Sequence, residues 1–228
     1  MGGMGTAAML RSAGVGVGDE VVVPAFGNVE VAEAVALVGA SPVFADIDPD
    51  TYCLDASAVE TALTSRTAAL VAVHRFGRPA DMGALHEVGR RHGLLVLEQG
   101  ESEAPYDEIA QRRQRAAYLD GKLRGVRTPG WGDGHTYQQY VVRVPGNGRP
   151  DRDAFARAVR GRGVECRVPV KTPVHRMPGF RRCVSLPETE RAADETLALP
   201  VDASLTKRDM QRIVSACNAL GGLLQPAF

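Results

Sequence analysis

Leu94-Leu95-Val96-Leu97-Glu98-Gln99-Gly100-Glu101-Ser102-Glu103 is the stretch whose reading decides the fold. Four apolar residues that run into a polar, acidic tail read as a buried strand surfacing at its C-terminal end. Ligands of open α/β sheets sit outside that end of the strands. No lysine is close by in sequence, because the chain has only Lys122, Lys171 and Lys207.

Upstream, short apolar runs alternate with helical patterns. Val21-Val22-Val23 follows the turn Gly18-Asp19 and reads as a strand, and Val29 to Val38 is apolar at helical spacing. Pro42 to Ala45 is a second strand. Asp55 caps a short helix through Leu63. Ala68 to Val73 is a third strand that ends at His74. Asp81 opens a helix through His92, which Gly93 stops. Repeated βα units with short loops predict a mostly parallel sheet covered by helices. Gly14-Val15-Gly16-Val17-Gly18 precedes a strand instead of following one, so it reads as a loop and not as a dinucleotide cradle.

Downstream the character changes. Pro105 to Arg124 is charged, with Ile109, Ala116, Ala117 and Leu123 as a modest apolar stripe, and predicts a long exposed or bridging helix. The turn-rich segment Thr128 to Gly134 reads as a boundary. Tyr137 to Val144 is predicted as a strand, Ala154 to Arg160 as a helix capped by Asp151 or Asp153, and Val164 to Val168 as a strand. Helices are expected over Glu188 to Leu199 and Thr206 to Leu220. The expected organisation is a parallel α/β part over 1–104, a bridging helix and linker over 105–127, and a smaller α+β part over 128–228.

Composition narrows the function classes. The 228 residues are 44% hydrophobic and 24% charged, as in ordinary globular proteins. Lys+Arg and Asp+Glu both number 27, so no net field favours nucleic acid or a membrane surface. Cys53, Cys166, Cys183 and Cys217 have no metal-ligand spacing, so neither a metal site nor a disulfide framework is expected. With no signal pattern and no bilayer-length apolar run, a cytoplasmic protein is expected.

Several motifs, taken in order, resemble the DegT/StrS-type sugar aminotransferases, which are pyridoxal-phosphate (PLP) enzymes of the aspartate-aminotransferase fold. They are Gly5-Thr6-Ala7-Ala8, Gly16 to Val21 with Val23-Pro24-Ala25-Phe26, and Pro42-Val43-Phe44 with Asp46-Ile47-Asp48-Pro49. His74-Arg75-Phe76-Gly77-Arg78-Pro79-Ala80-Asp81-Met82 continues the series. Tyr137 to Val144, Arg162-Gly163-Val164-Glu165 and Pro173-Val174-His175-Arg176 complete it. The resemblance covers nearly the whole chain. It implies a shortened aspartate-aminotransferase-like α/β fold with a C-terminal α+β subdomain.

By the same resemblance, the departures gather where PLP is held. Met4 stands at the serine before the Gly-Thr turn, Asn28 at or beside the aromatic that stacks on the ring, and Gln99 at the aspartate that pairs with the pyridinium nitrogen. The long stretch with the Schiff-base lysine has no counterpart between Ala104-Pro105 and the bridging helix. A carboxylate keeps the ring nitrogen protonated and a neutral amide does not. The expectation is therefore a vestigial PLP pocket at Gly5, Thr6, Asn28 and Gln99, with no cofactor. Acid/base chemistry by Glu101, His74 and Glu98 would replace transamination, as a cyclisation, isomerisation or elimination in bacterial secondary metabolism. Glu30 and His175 are the candidate substrate contacts. The expected partners are a small-molecule substrate and a second subunit, either a copy of this chain or a full-length aminotransferase. The alternative expectation is a non-catalytic subunit that stabilises such an aminotransferase.

Overall fold

A computed structural model describes residues 3–27, 29–100, 104–129, 132, 134–145 and 152–221. The chain divides into two compact units. Residues Met1–Arg75, Pro79–Ser102 and Thr172–Glu190 form one, and Phe76–Arg78, Glu103–Lys171 and Arg191–Phe228 the other.

The first unit is built on four parallel strands: β1 (Glu20–Pro24), β2 (Ser41–Ala45), β3 (Thr67–Val73) and β4 (Leu95–Gln99). Their order is β2-β1-β3-β4. Helices α1 (Gly3–Ser12), α2 (Glu30–Leu37), α3 (Ala56–Ala62) and α4 (Met82–His92) belong to the same unit. The period-2 alternation of the strands sorts the core into two layers. Val21 and Val23 of β1 with Ala69 and Val71 of β3 join Leu10, Val31 and Val35 of α1 and α2. Val22, Leu70 and Ala72 instead join Val59, Leu85 and Val88 of α3 and α4. Sequence punctuation sets the helix ends. Asp55 accepts a hydrogen bond from the Ala58 amide at 2.8 Å, and Asp81 accepts one from Ala84 at 2.9 Å. Gly93 closes α4 with φ of 66°, a conformation costly for a side-chain-bearing residue.

The strand order reverses between β1 and β3, because β1 is followed by β2 on one side while β3 and β4 extend the other. The crevice outside the C-terminal ends at that point is the expected ligand position.

The second unit holds α5 (Tyr106–Lys122), β5 (Tyr140–Arg143), α6 (Arg152–Arg160), β6 (Thr196–Leu199) and α8 (Lys207–Gly221). β5 and β6 pair antiparallel, with Tyr140 opposite Leu199. Ala116, Leu119 and Leu123 pack with Val142, Phe155, Val159, Leu197 and Ile213 in one core, so the charged helix α5 buries a defined face. Helix α7 (Pro187–Glu195) precedes β6.

Three sequence expectations change here. Thr196 to Leu199, read as the end of a helix, is strand β6. All four residues are buried, and the Arg152 guanidinium captures the carbonyls of Ala193 (2.8 Å) and Thr196 (2.9 Å), which ends the helix. Val164 to Val168 makes only an isolated bridge between Arg167 and Ala198. Asp153 lies inside the first turn of α6 and is not its cap, while Asp151 lies outside the described residues. Residues 130, 131 and 133 of the turn-rich boundary also lie outside them.

Candidate functional site

At the C-terminal ends of β1, β3 and β4, Pro24, Phe26, Gly27, Val73, Arg75, Gln99 and Gly100 line a cavity of about 60 Å³. Gln99 is fixed there from two directions. It pairs with Val73 in the β3–β4 ladder, and its carbonyl accepts the His74 amide at 3.0 Å. Its side-chain Oε1 accepts a hydrogen bond from the Thr6 hydroxyl at 3.3 Å. Thr6 is buried in α1, so this bond ties the first turns of that helix to the end of β4. The first-turn amides of α1 have no intrahelical acceptors and form a natural place for an anion.

Arg75 supplies the charge. Its side chain is only 6% exposed, and its guanidinium carbon lies 5.9 Å from the centre of the Phe26 ring. Phe26 in turn stacks on Tyr52 at 5.6 Å. Neither Arg75 nor Phe26 was given a role from sequence. The available signal was an arginine directly after an apolar strand, where burying a cation is expensive unless a ligand or partner uses it.

His74 and Glu98 come together, with Nε2 and Oε1 2.8 Å apart. The Ala80 amide donates to His74 Nδ1 at 3.0 Å, which places the neutral ring's proton on Nε2 and directs it at Glu98. Both ring nitrogens are therefore engaged, and the pair holds the strand end in place. The Glu98 side chain remains 54% exposed.

The other expected residues scatter. Glu30 is the exposed first residue of α2, and its carbonyl oxygen would lie 2.9 Å from a Cβ at Gly3, so only glycine lets α1 start there. His175 is 1% exposed, away from the cavity lining, with Nε2 3.3 Å from Glu190 Oε1 and its ring tilted against Phe44. Gly5 lies in the first turn of α1. Asn28, Glu101, Ser102 and Glu103 lie outside the described residues. Burial pushes the Cys53 thiol up to about 11, so it is no nucleophile near neutrality.

Comparison with known proteins places this edge. A family model described as the DegT/DnrJ/EryC1/StrS aminotransferase family matches residues 2–100 and 106–218. The chain belongs to that family.

Among curated relatives, a pleiotropic regulatory protein of Geobacillus stearothermophilus is 29% identical over 299 aligned residues, covering 90% of this chain and 79% of that protein. GDP-perosamine synthase of Caulobacter vibrioides is 32% identical over 201 residues, covering 83% of this chain and 50% of the relative. L-glutamine:scyllo-inosose aminotransferase of Streptomyces griseus is 48% identical over 97 residues, covering 41% and 23%. The chain thus spans 23% to 50% of the length of those last two relatives. Among solved structures, the aminotransferase TlmJ from Streptoalloteichus hindustanus superposes with a TM-score of 0.86 at 26% identity, over 98% of this chain and 85% of that one. S. venezuelae DesV, in complex with a ketimine intermediate, gives 0.84 at 25% identity, over 96% and 83%. Bacillus subtilis NtdA, with bound cofactor PMP, gives 0.86 at 18% identity, over 97% and 72%. The shortened aminotransferase fold is therefore established.

These neighbours overturn the expectation that no cofactor is used. Family membership and structures carrying PMP or its substrate adduct point to PLP chemistry. The physical reason is that cofactor affinity is spread over several contacts. A helix N-terminus can hold a phosphate through its backbone amides whichever side chain stands at position 99.

The first unit's residues fit two ends of that group. The Met4 and Gly5 amides, ahead of the first intrahelical bond of α1, could meet its phosphate, and Gln99 could meet its ring nitrogen. The enclosed space of about 60 Å³ is well below the ~300 Å³ of an ordinary ligand cleft, so it could admit no more than an edge of the ring. Lys122, Lys171 and Lys207 all belong to the second unit. Among the described residues no cluster of His, Cys, Asp or Glu could hold a metal, and no helix is long and apolar enough to cross a membrane.

Proposed function

We propose that this chain holds pyridoxamine or pyridoxal phosphate at the strand edge of its first unit and serves amino transfer to a keto sugar or keto cyclitol in secondary metabolism. The observation that carries the reading is the Thr6–Gln99 bond, which joins an anion-binding helix start to the polar end of β4. The substrate class follows from the relatives' printed activities on scyllo-inosose and on the GDP-perosamine route.

When bound, the cofactor supplies the amino group and the electron sink of amino transfer. The amides at the start of α1 would hold the phosphate end, Thr6 fixes Gln99 through its hydroxyl, and Gln99 would meet the ring nitrogen. The His74–Glu98 pair keeps the loop after β3 in register with the end of β4, with His74 acting as a positioning residue. Arg75 keeps a positive charge beside the ring edge. A cytoplasmic setting, where such small-molecule pathways run, belongs to the same proposal.

The test is equilibrium dialysis of purified protein against each form of the cofactor, followed by absorbance spectra. Retention that weakens at least tenfold in Gly5→Asp, which sets a carboxylate at the helix start, supports the reading. No retention at millimolar cofactor overturns it.

A second reading is favoured by the two-part family match, broken between residues 100 and 106, and by the 299-residue alignment to a relative longer than this chain. On that reading the chain pairs with a full-length aminotransferase and tunes it. Light scattering after co-expression with such an enzyme checks it: a mixed dimer supports the pairing, and separate homogeneous species rule it out.

A further inference from the structure

We infer that a groove in the second unit binds a small zwitterion, a molecule that carries a carboxylate and an ammonium group as a free amino acid does. The groove has a volume of about 720 Å³, within the roughly 300–1,000 Å³ of ligand clefts. Every residue that lines it belongs to the second unit. Its origin is local. Arg167 and Ala198 form an antiparallel bridge, with amide-to-carbonyl distances of 3.1 and 2.8 Å. Continued in register, that bridge would set Cys166 opposite Leu199 and Glu165 opposite Pro200. Proline has no amide hydrogen with which to extend a ladder. Among the described residues no further backbone bond joins the two segments, and both line the space beyond the bridge.

The lining carries both signs of charge. Arg160 and Arg167 contribute two cations, and Glu165 and Asp202 two carboxylates. None of the four makes an ion pair among the described residues. Arg160 is steadied by its Nε, which donates to the Cys166 carbonyl at 3.0 Å and leaves the terminal N–H groups for a ligand. A guanidinium takes a carboxylate through two parallel hydrogen bonds. A lining of positive charge alone would favour a simple anion such as phosphate. Here Glu165 and Asp202 offset that attraction and supply the counterpart for an ammonium group. Gln139 adds a further contact. Its carboxamide makes no hydrogen bond among the described residues, and its Oε1 is buried in that state. An unpaired buried acceptor is costly, and a turn of the carboxamide toward the groove lets a ligand N–H pair it.

The experiment titrates the full chain calorimetrically, at low salt, with L-glutamine, L-glutamate and L-lysine in turn. Acetate, phosphate and methylamine, which carry charge of one sign only, are titrated for contrast. No cofactor is added, so the outcome is independent of what the first unit binds. Saturable binding of at least one amino acid, with no matching response to the single-charge molecules, is expected. Arg167→Gln and Asp202→Asn should each weaken that binding at least tenfold. Both side chains are exposed, so urea unfolding of the two variants should match the parent. Phosphate or acetate binding as tightly as the amino acid overturns the zwitterion assignment. Amino-acid binding that survives both substitutions overturns the groove as its site, and no saturable binding at millimolar amino acid overturns the inference outright.

Discussion

The two units place the same residue types under opposite conditions. In the first, polar groups gather at the ends of parallel strands. His74 and Glu98 pair at a half-open surface, and Gln99 keeps one end free beside Arg75. In the second, His135 is 3% exposed and stacks face to face on Tyr137, with ring centres 3.9 Å apart. Its Nδ1 accepts the Tyr137 amide at 3.0 Å, and its carbonyl accepts Arg113 at 2.9 Å. Both histidines are locally satisfied, but one group borders space that a ligand can enter and the other is consumed in packing. Perturbation of the second unit's core should therefore appear in stability, and perturbation of the first unit's strand edge in ligand binding.

The largest effect is expected at Gly77, where φ is 86° and a Cβ would lie 2.3 Å from Thr136 Oγ1 and 2.7 Å from the Gln138 amide. Gly77→Val should cost more than about 3 kcal/mol through backbone strain and overlap together. Urea unfolding checks it, and a loss below about 1 kcal/mol would show that this crossing is looser than its geometry.

Acid comes next. Burial, aided by the nearby Arg78 cation, lowers His135 to about 4 from its ordinary 6.5. Above 6.5 the ring is neutral in both folded and unfolded chains. Between 6.5 and 4 only the unfolded chain takes up the proton, so stability falls as pH falls, by about 3 kcal/mol across the window, and then levels off. Unfolding curves at pH 7.5, 6 and 5 measure the slope. His135→Gln should flatten it, and an unchanged slope would assign the acid sensitivity elsewhere.

The smallest effect belongs to the first unit. Glu98→Gln removes a half-exposed charge from His74 and should change stability by less than ~1 kcal/mol. Cofactor retention should stay within about twofold. A tenfold loss of retention would make Glu98 part of the binding surface and erase the contrast between the units.

Much of this architecture was legible because local signals and tertiary demands coincide. Asp55, Asp81 and Gly93 announce their helix ends, and Val21 to Val23 and Ala68 to Val73 are apolar runs that a buried parallel strand requires. Thr196 to Leu199 was misread because Leu and Ala suit helices well, and only pairing with β5 makes the segment a strand. His175 was read as a substrate contact from its motif, whereas burial beside Phe44 and Glu190 sets its surroundings. The departures at Met4, Asn28 and Gln99 and the missing lysine-bearing stretch point away from a cofactor, whereas phosphate binding rests on backbone amides that no side-chain comparison reveals.

By itself the sequence determined the order of elements, their caps, the family, and the acidic tail of the strand that ends at Gln99. These follow from apolar periodicity and from residues whose chemistry acts over a few positions. Only the tertiary structure decided that Gln99 would meet Thr6, 93 positions away, and that Arg75 would be buried beside the same cavity. Such contacts depend on strand order and register, which are set when the whole sheet closes around its core.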